Sequence, residues 1–214
     1  MHFKLFYFKW WYTMNIVKIL ETIINNTELV DPNDVPNLDL YMDQVTTFMD
    51  KHLNASKRFD EDKILTKTMI NNYAKNDLLP SPEKKKYSKD HILLLTLIYY
   101  LKNVLSISDI KKLLQPISDE YFHSNTDVTL SDIYGELKPF INKVEQATQE
   151  DIINKLKLSK ESYVDIDTED TEYLQLFSFI VMLGFDVYLK KQMIEHMVDE
   201  LASLAAPSDP KKKN

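Results

Sequence analysis

The sequence predicts a mainly α-helical protein, and three observations support this class. Apolar residues between positions 65 and 76 recur on a 3.6-residue period. Residues 91 to 104 form a segment that is apolar on nearly every side, as in a buried helix. Beyond Pro116 the 214-residue chain becomes acidic and keeps long helical patterns.

Residues 1–37 are expected to form an N-terminal extension, a helix and a linker. The first thirteen residues are strongly aromatic and contain lysines, so they are too short and too charged for a membrane span. An upstream extension or a mis-called start explains them, with an aromatic anchor at a membrane surface as the alternative. Asn15 to Asn25 has an amphipathic pattern, and Asp31 to Asn37 is rich in Pro, Asp and Asn.

Leu40 to Leu53 is expected to form the first helix of a helix-turn-helix. Its apolar positions can be buried on one side: Tyr41, Val45, Phe48, Met49 and Leu53. The link from Asn54 to Lys63 is longer than the tight turn of most such motifs.

Thr66 to Asn76 is expected to form the second helix, with Thr66 as N-cap and Pro80 preventing its continuation. One side is apolar, with Leu65, Met69, Ile70 and Tyr73. The other side is short, polar and basic, with Lys67, Thr68, Asn71, Asn72 and Lys75. Asparagine can bind adenine edges bidentately, and Lys and Thr can reach phosphates or bases. An amphipathic surface helix without a partner is the alternative for this segment taken alone.

A basic turn follows, with a lysine cluster at Lys84, Lys85, Lys86 and Lys89. The whole chain is acidic, with 26 Lys and Arg against 33 Asp and Glu. Residues 51–115, however, hold 13 basic and 7 acidic residues, a net charge of +6, which leaves −13 elsewhere. The basic charge therefore lies on the segment expected to bind DNA. A solvated loop is the usual structure of a charge run, and phosphate contact by a wing is the alternative that the neighbouring helix supports. Ser88 then caps a central helix over His91 to Val104.

The order of these residues resembles the DNA-binding domain of MerR-type regulators. The similar features are Thr66, Ile70, Tyr73, Leu78-Leu79-Pro80, Tyr87-Ser88 and the segment from Ser106 to Leu114. Residues Leu40 to Leu114 more closely resemble the bacterial family called domain of unknown function 1836, itself regarded as MerR-like. This resemblance rests on two sequence segments, Leu40-Tyr-Met-Asp-Gln-Val45 and Leu65-Thr-Lys-Thr-Met-Ile-Asn-Asn-Tyr73. It implies a winged-helix-like domain that binds DNA.

The chain departs from the MerR pattern at three places. Asn71 and Asn72 stand where that family has Arg and Tyr, and Asp77 replaces the glycine of the turn. Only six residues separate Pro80 from Tyr87, so the expected wing is short and contains no glycine. The phosphate contacts of the Arg-Tyr pair therefore do not transfer to the two asparagines.

Residues 38–115 are thus assigned to a MerR-like helix-turn-helix domain and residues 116–206 to an all-helical C-terminal domain for oligomerisation or effector sensing. Leu130 to Leu158 is expected to be two helices divided near Pro139, and Thr171 to Ala205 one long helix. The apolar stretch Leu174 to Leu189 contains Asp186 and is short for a membrane span. We expect it to be buried inside the chain or in a dimer. Residues 207–214 are expected to be a disordered tail.

Several enzyme chemistries are excluded. Two glycines cannot form a phosphate-binding loop or a dinucleotide motif, and zero cysteines exclude thiolate chemistry and disulfides. The five histidines show no paired ligand spacing, and the acidic run Asp165 to Asp170 fails the calcium-loop pattern. We expect no cofactor, no metal and no enzymatic activity.

The resulting prediction is a cytoplasmic bacterial transcriptional regulator that binds double-stranded DNA as a homodimer and has no membrane span. A small-molecule effector is a further candidate partner. The residues expected to bind DNA are Thr66, Lys67, Thr68, Asn71, Asn72, Lys75, Lys84, Lys85, Lys86, Tyr87 and Lys89. A protein-interaction module of the same fold that has lost DNA binding is the first alternative. A hydrolase or other enzyme in the helical C-terminal region is the second, and no residue pattern favours it.

Overall fold

The structure is a computed structural model that describes residues 15–27, 29–124, 126–166 and 169–205. The aromatic segment 1–13 and the predicted tail 207–214 lie outside the described residues. Helices dominate, as predicted. Their order, with two short strands, is α1 (15–25), β1 (Leu40–Tyr41), α2 (Met42–Leu53), α3 (Lys67–Lys75), β2 (Lys86–Tyr87), α4 (Lys89–Leu101), α5 (Ile107–Tyr121), α6 (Leu130–Ser159) and α7 (Thr171–Ala205).

The chain divides into two compact units. One comprises residues 29–137 and 191–214, and the other comprises residues 1–28 and 138–190. Both α6 and α7 contribute residues to each unit. We call the unit of residues 29–137 and 191–214 the central unit, and the unit of residues 1–28 and 138–190 the distal unit.

The core of the central unit forms around α4, which the sequence predicts to be buried on nearly every side. Ile92 to Leu95 and Ile98 have no accessible surface. Helix α2 contacts α3, α4 and β2, and it contributes Val45, Met49 and Leu53 to the buried set. Burying this much aliphatic surface is the main stabilising term for the unit.

The long link between α2 and α3 is held against α4 by two polar contacts. It begins with a 3-10 turn over Asn54–Ser56. The Ser56 hydroxyl lies 2.7 Å from the Tyr99 hydroxyl, and Lys102 Nζ donates to the Ile64 carbonyl at 3.0 Å. Burial lowers the pKa of Lys102. These contacts hold the link in place beside the buried helix.

The predicted helix over Leu40 to Leu53 begins two residues later than expected. Leu40 and Tyr41 instead form β1, which pairs antiparallel with β2, Leu40 opposite Tyr87 and Tyr41 opposite Lys86. The Tyr41 N–H donates to the Gln44 side chain at 2.8 Å, which caps α2. A strand of two residues is too short to show an alternating pattern in the sequence.

Two prolines that the sequence treats as boundaries lie inside helices. The predicted division of residues 130–158 near Pro139 is wrong, because α6 is continuous through it. Helix α5 likewise continues through Pro116 to Tyr121. Both prolines are exposed, so the carbonyl four residues earlier, whose helical hydrogen bond is lost, can bond to water instead.

The distal unit pairs the C-terminal part of α6 with the N-terminal part of α7. The Gln175 side chain donates to the carbonyls of Lys160 and Ser162 at 3.0 and 3.1 Å. Asp186 lies 3.5 Å from Lys155 and 2.8 Å from Lys190. These lysines lower the pKa of Asp186, the Lys190 hydrogen bond most.

The expectation that Leu174 to Leu189 is buried inside the chain is wrong for most of this stretch. Phe179 is its fully buried member, while Phe177, Ile180 and Phe185 are more than half exposed. By length and composition alone, residues Thr171–Leu201 could cross a membrane. The described residues therefore leave these apolar side chains uncovered.

Candidate nucleic-acid interface

Helix α3 forms as the sequence predicts and exposes the predicted polar face. The Thr66 hydroxyl caps it by accepting a hydrogen bond from the Met69 N–H at 3.1 Å. Ile70 is fully buried and Tyr73 nearly so. Five side chains on the opposite face are exposed, namely Lys67, Thr68, Asn71, Asn72 and Lys75.

The end of α3 keeps the geometry of a glycine turn although it contains no glycine. Asp77 has a φ of 53°, the left-handed conformation that glycine adopts without strain. The Leu78 N–H donates to the Tyr73 carbonyl at 2.9 Å, and the Asp77 N–H to the Ala74 carbonyl at 3.2 Å. These two bonds define a Schellman motif, and the following Leu78 is buried as that motif requires.

The lysine cluster lies on a tight hairpin between α3 and α4. The Lys86 N–H donates to the Glu83 carbonyl at 2.8 Å, and the two residues between them, Lys84 and Lys85, have φ values of 47° and 66°. Two consecutive left-handed residues make a type I′ turn, which normally contains Asn and Gly because lysine is strained there. Both lysine side chains are exposed on this strained turn.

The remaining predicted contact residues are less accessible. Lys86 and Lys89 are half-buried, and Tyr87 is buried with its ring 5.3 Å from that of His91. Burial raises the pKa of Tyr87. A residue with 2% of its surface exposed is not available to DNA, so the expectation that Tyr87 contacts DNA is corrected to a supporting role.

The N-terminus of α2 connects the start of α3 to the hairpin. Asp43 forms an ion pair with Lys67, the first residue of α3. Two residues earlier, the Tyr41 ring lies beneath Lys86 Nζ, 5.4 Å from the ring centroid. One short segment, residues 41–43, therefore touches both basic elements.

His91 hydrogen-bonds to residues on both sides of the hairpin, a role that the sequence analysis missed. Its Nδ1 accepts a hydrogen bond from the Ser88 N–H at 2.9 Å, so the ring proton is on Nε2, which donates to the Pro80 carbonyl at 3.2 Å. Burial lowers the pKa of His91 to about 4, with a smaller effect from His123. The available signal was a histidine three residues after the capping Ser88, the position of the reciprocal residue in a capping box.

His123 extends this arrangement from the end of α5. Its ring Nε2 lies 2.8 Å from the Ser88 hydroxyl. The backbone N–H of His123 donates to the Asp90 carboxylate at 2.8 Å. His123 has a φ of 52°, a left-handed turn that ends α5. The start of α4 and the end of α5 are thus joined at Ser88.

A family model matches residues 30–137, half of the chain. The chain belongs to the family described as Domain of unknown function (DUF1836). The DUF1836 match includes β1, the helices α2 to α5, the hairpin and the beginning of α6. It nearly coincides with the first segment of the central unit, residues 29–137. Searches of curated proteins and of solved structures found no match.

The DUF1836 segment brings together polar and basic side chains without a metal-ligand arrangement. In the part of the chain that the structure describes, no three His, Asp or Glu residues are grouped to hold a metal ion. The exposed groups of α3 and the hairpin tip are amides, hydroxyls and ammonium groups. These groups form hydrogen bonds and ion pairs with phosphates and base edges.

Proposed function

We propose that this protein is a bacterial transcriptional regulator whose central unit binds duplex DNA. Helix α3 would enter the major groove, and the hairpin at Lys84-Lys85 would contact the sugar-phosphate backbone as a wing. The observation that carries the proposal is the polar, exposed outer face of α3 beside two lysines on a strained turn.

The side chains on α3 suit a major-groove reader of modest length. Asn71 and Asn72 each present a carboxamide that can pair with the N6 and N7 atoms of adenine. Thr68 is one turn earlier on the same face, and its methyl group can contact thymine. Lys75, near the C-terminal end, can reach a phosphate. We therefore expect sequence preference to depend on the two asparagines.

The hairpin lysines would supply affinity that is independent of sequence. Each phosphate contact releases condensed counterions, so binding weakens as salt rises. Holding Lys84 and Lys85 in left-handed conformations costs stability, and such strain is most often found at functional positions. Their role as phosphate ligands gives a reason for keeping lysine where Asn and Gly are preferred.

The charge distribution supports the same assignment. Residues 51–115 carry a net charge of +6 in a protein of net charge −7. An acidic remainder is repelled by DNA, which favours one orientation of the central unit on the duplex. A dimer on a near-palindromic operator would give two such contacts, as regulators with short recognition helices require.

To test the proposal, duplexes that the full chain binds are first selected from genomic fragments. They are then labelled with a fluorophore, and binding is measured at several salt concentrations. Replacing Lys84, Lys85 and Lys86 by Ala should weaken binding to every duplex alike. The slope of log affinity against log salt should flatten by about 0.9 for each lost contact. Replacing Lys143, Lys157 and Lys160 by Ala makes the same charge change in the distal unit and should leave the slope unchanged.

Two outcomes contradict the proposal. No salt-dependent binding by the unaltered chain would leave the protein-interaction module as the better assignment. An equal change of slope for both lysine triplets would show that only net charge matters and that the hairpin makes no contact.

A further inference from the structure

The N-terminal half of α7 leaves an unusually regular apolar stripe exposed. Tyr173, Phe177, Ile180, Gly184 and Val187 follow one another at alternating spacings of four and three residues. Val181 and Tyr188 lie beside them on the same face. Tyr173, Phe177, Ile180, Val181 and Tyr188 expose between 50% and 64% of their surface.

This spacing is the seam by which one helix packs along another. No charged residue falls on the stripe between Tyr173 and Tyr188. The acidic residue in this segment, Asp186, points to the opposite side, where it pairs with Lys155 and Lys190. The stripe is therefore uncharged along its length and can pack against a second helix, while the exposed Phe185 and Leu189 lie outside it.

Gly184 makes the seam complementary to itself. A Cβ atom at Gly184 would meet nothing within 4 Å, so the helix has a notch there. Two antiparallel copies with a twofold axis between Ile180 and Val181 place Phe177 opposite Gly184 and Tyr173 opposite Tyr188. A parallel pair would place Gly184 opposite Gly184 and leave both notches empty.

We propose that this stripe of α7 is a homodimer interface in which a second copy packs antiparallel, with the Phe177 ring of each copy in the Gly184 notch of the other. The six exposed apolar side chains of the stripe, at about 100 Å² each, would bury about 600 Å² per copy and about 1,200 Å² in the pair, the lower end of the range for specific interfaces. The proposal rests on α7 alone and does not depend on DNA binding.

A lipid bilayer is the competing occupant, and the charges disfavour it. A membrane span needs about 20 predominantly apolar residues, whereas this stretch is interrupted by the Asp186 carboxylate and followed by Lys190 and Lys191. Lys155 of α6, which pairs with Asp186, would have to enter the hydrocarbon as well.

Sedimentation of the full chain at micromolar concentration measures the oligomeric state directly. We expect twice the monomer mass for the unaltered protein. Ile180→Asp places two carboxylates near the axis and should weaken dimerisation on the order of 100-fold. Met193→Asp changes an equally exposed apolar residue of α7 outside the stripe and should leave the dimer intact. A monomeric unaltered protein would overturn the proposal.

Gly184→Leu tests the notch without disturbing the monomer. The open space around Gly184 accepts a side chain, and leucine favours the helix more than glycine does. We therefore expect an unchanged or raised melting temperature of the monomer together with weaker dimerisation. A dimer as tight as the unaltered one would exclude the notch.

Disulfide cross-linking tests whether the two α7 helices pack antiparallel. The chain has no cysteine, so only introduced cysteines can cross-link. In the antiparallel pair, two copies of Tyr173→Cys lie about 22 Å apart along the helices and cannot form a disulfide. The double variant Tyr173→Cys with Tyr188→Cys should cross-link two copies on oxidation. Cross-linking of Tyr173→Cys alone would show a parallel pair and overturn the proposal. Binding of the protein to phosphatidylcholine–phosphatidylglycerol vesicles instead of dimerisation would also overturn it.

Discussion

His91 Nε2 donates to the Pro80 carbonyl at 3.2 Å, which joins the segment that follows α3 to the buried helix α4. The same ring accepts the Ser88 N–H through Nδ1. The bond from the Ser88 N–H requires the neutral imidazole, because a protonated ring has no acceptor, whereas the bond to Pro80 can form in either protonation state. The base of the hairpin is therefore coupled to the protonation of one buried side chain.

The first prediction is that the protein loses stability as pH falls from about 6.5 to about 4. In this window the unfolded His91 binds a proton and the folded one does not, because burial lowers its pKa to about 4. The unfolding free energy should therefore fall by roughly 3 kcal/mol across the window from this group. Urea denaturation measured at several pH values checks it.

A matched variant separates His91 from the other titrating groups. His91→Gln keeps an acceptor for the Ser88 N–H, since glutamine is a normal partner in a capping box, but it cannot titrate. Its unfolding free energy should be flatter with pH than that of the unaltered chain. The same slope in His91→Gln would contradict the assignment.

The second prediction concerns the hairpin tip. Replacing Lys84 by Asn and Lys85 by Gly should raise the unfolding free energy by about 1 kcal/mol, since these residues adopt left-handed conformations with little strain. DNA affinity should fall because two phosphate ligands are lost. Thermal unfolding and fluorescence anisotropy measure the two effects.

The control for this variant is Lys84→Ala with Lys85→Ala. It removes the same charge but keeps the strain, so affinity should fall equally without a gain in stability. Unchanged DNA affinity in both variants would show that the tip makes no phosphate contact.

The third prediction is that Asp43→Asn increases DNA affinity. Asp43 pairs with Lys67 at the start of α3, and its removal leaves the lysine available for a phosphate. The salt dependence should become steeper by up to about 0.9. Because the pair is exposed, stability should change by less than about 1 kcal/mol.

Asp50→Asn is the comparison for this effect. Asp50 is also an exposed acid of α2. It pairs at 3.1 Å with Lys57, which lies in the link between α2 and α3. Its removal should leave the salt dependence unchanged. Equal gains from both variants would indicate a general effect of net charge.

The fourth prediction separates the two faces of α3. Ile70→Ala should lower the unfolding free energy by about 2 to 4 kcal/mol, because Ile70 is fully buried and the truncation leaves a cavity. Asn71→Ala should change stability by less than about 0.5 kcal/mol and should reduce discrimination between duplexes. A large loss of stability in Asn71→Ala would mean that the polar face is structural.

The periodic and capped elements could be predicted from the amino-acid sequence alone. Helix α3 could be predicted with its exposed and buried faces because a 3.6-residue period records which side chains meet the core. Thr66 and Ser88 marked two helix starts, since capping depends on residues within one turn. The single long helix Thr171–Ala205 was confirmed for the same local reason.

Features that depend on contacts between distant residues could not be predicted from local patterns. The pairing of Leu40 with Tyr87 and the His91 bond to Pro80 join segments whose separation leaves no periodic trace. The continuity of α6 through Pro139 depends on solvent exposure, which lets water replace a lost hydrogen bond. Which apolar residues of α7 the distal unit leaves uncovered is also a property of packing, because hydrophobicity in a sequence does not specify its partner.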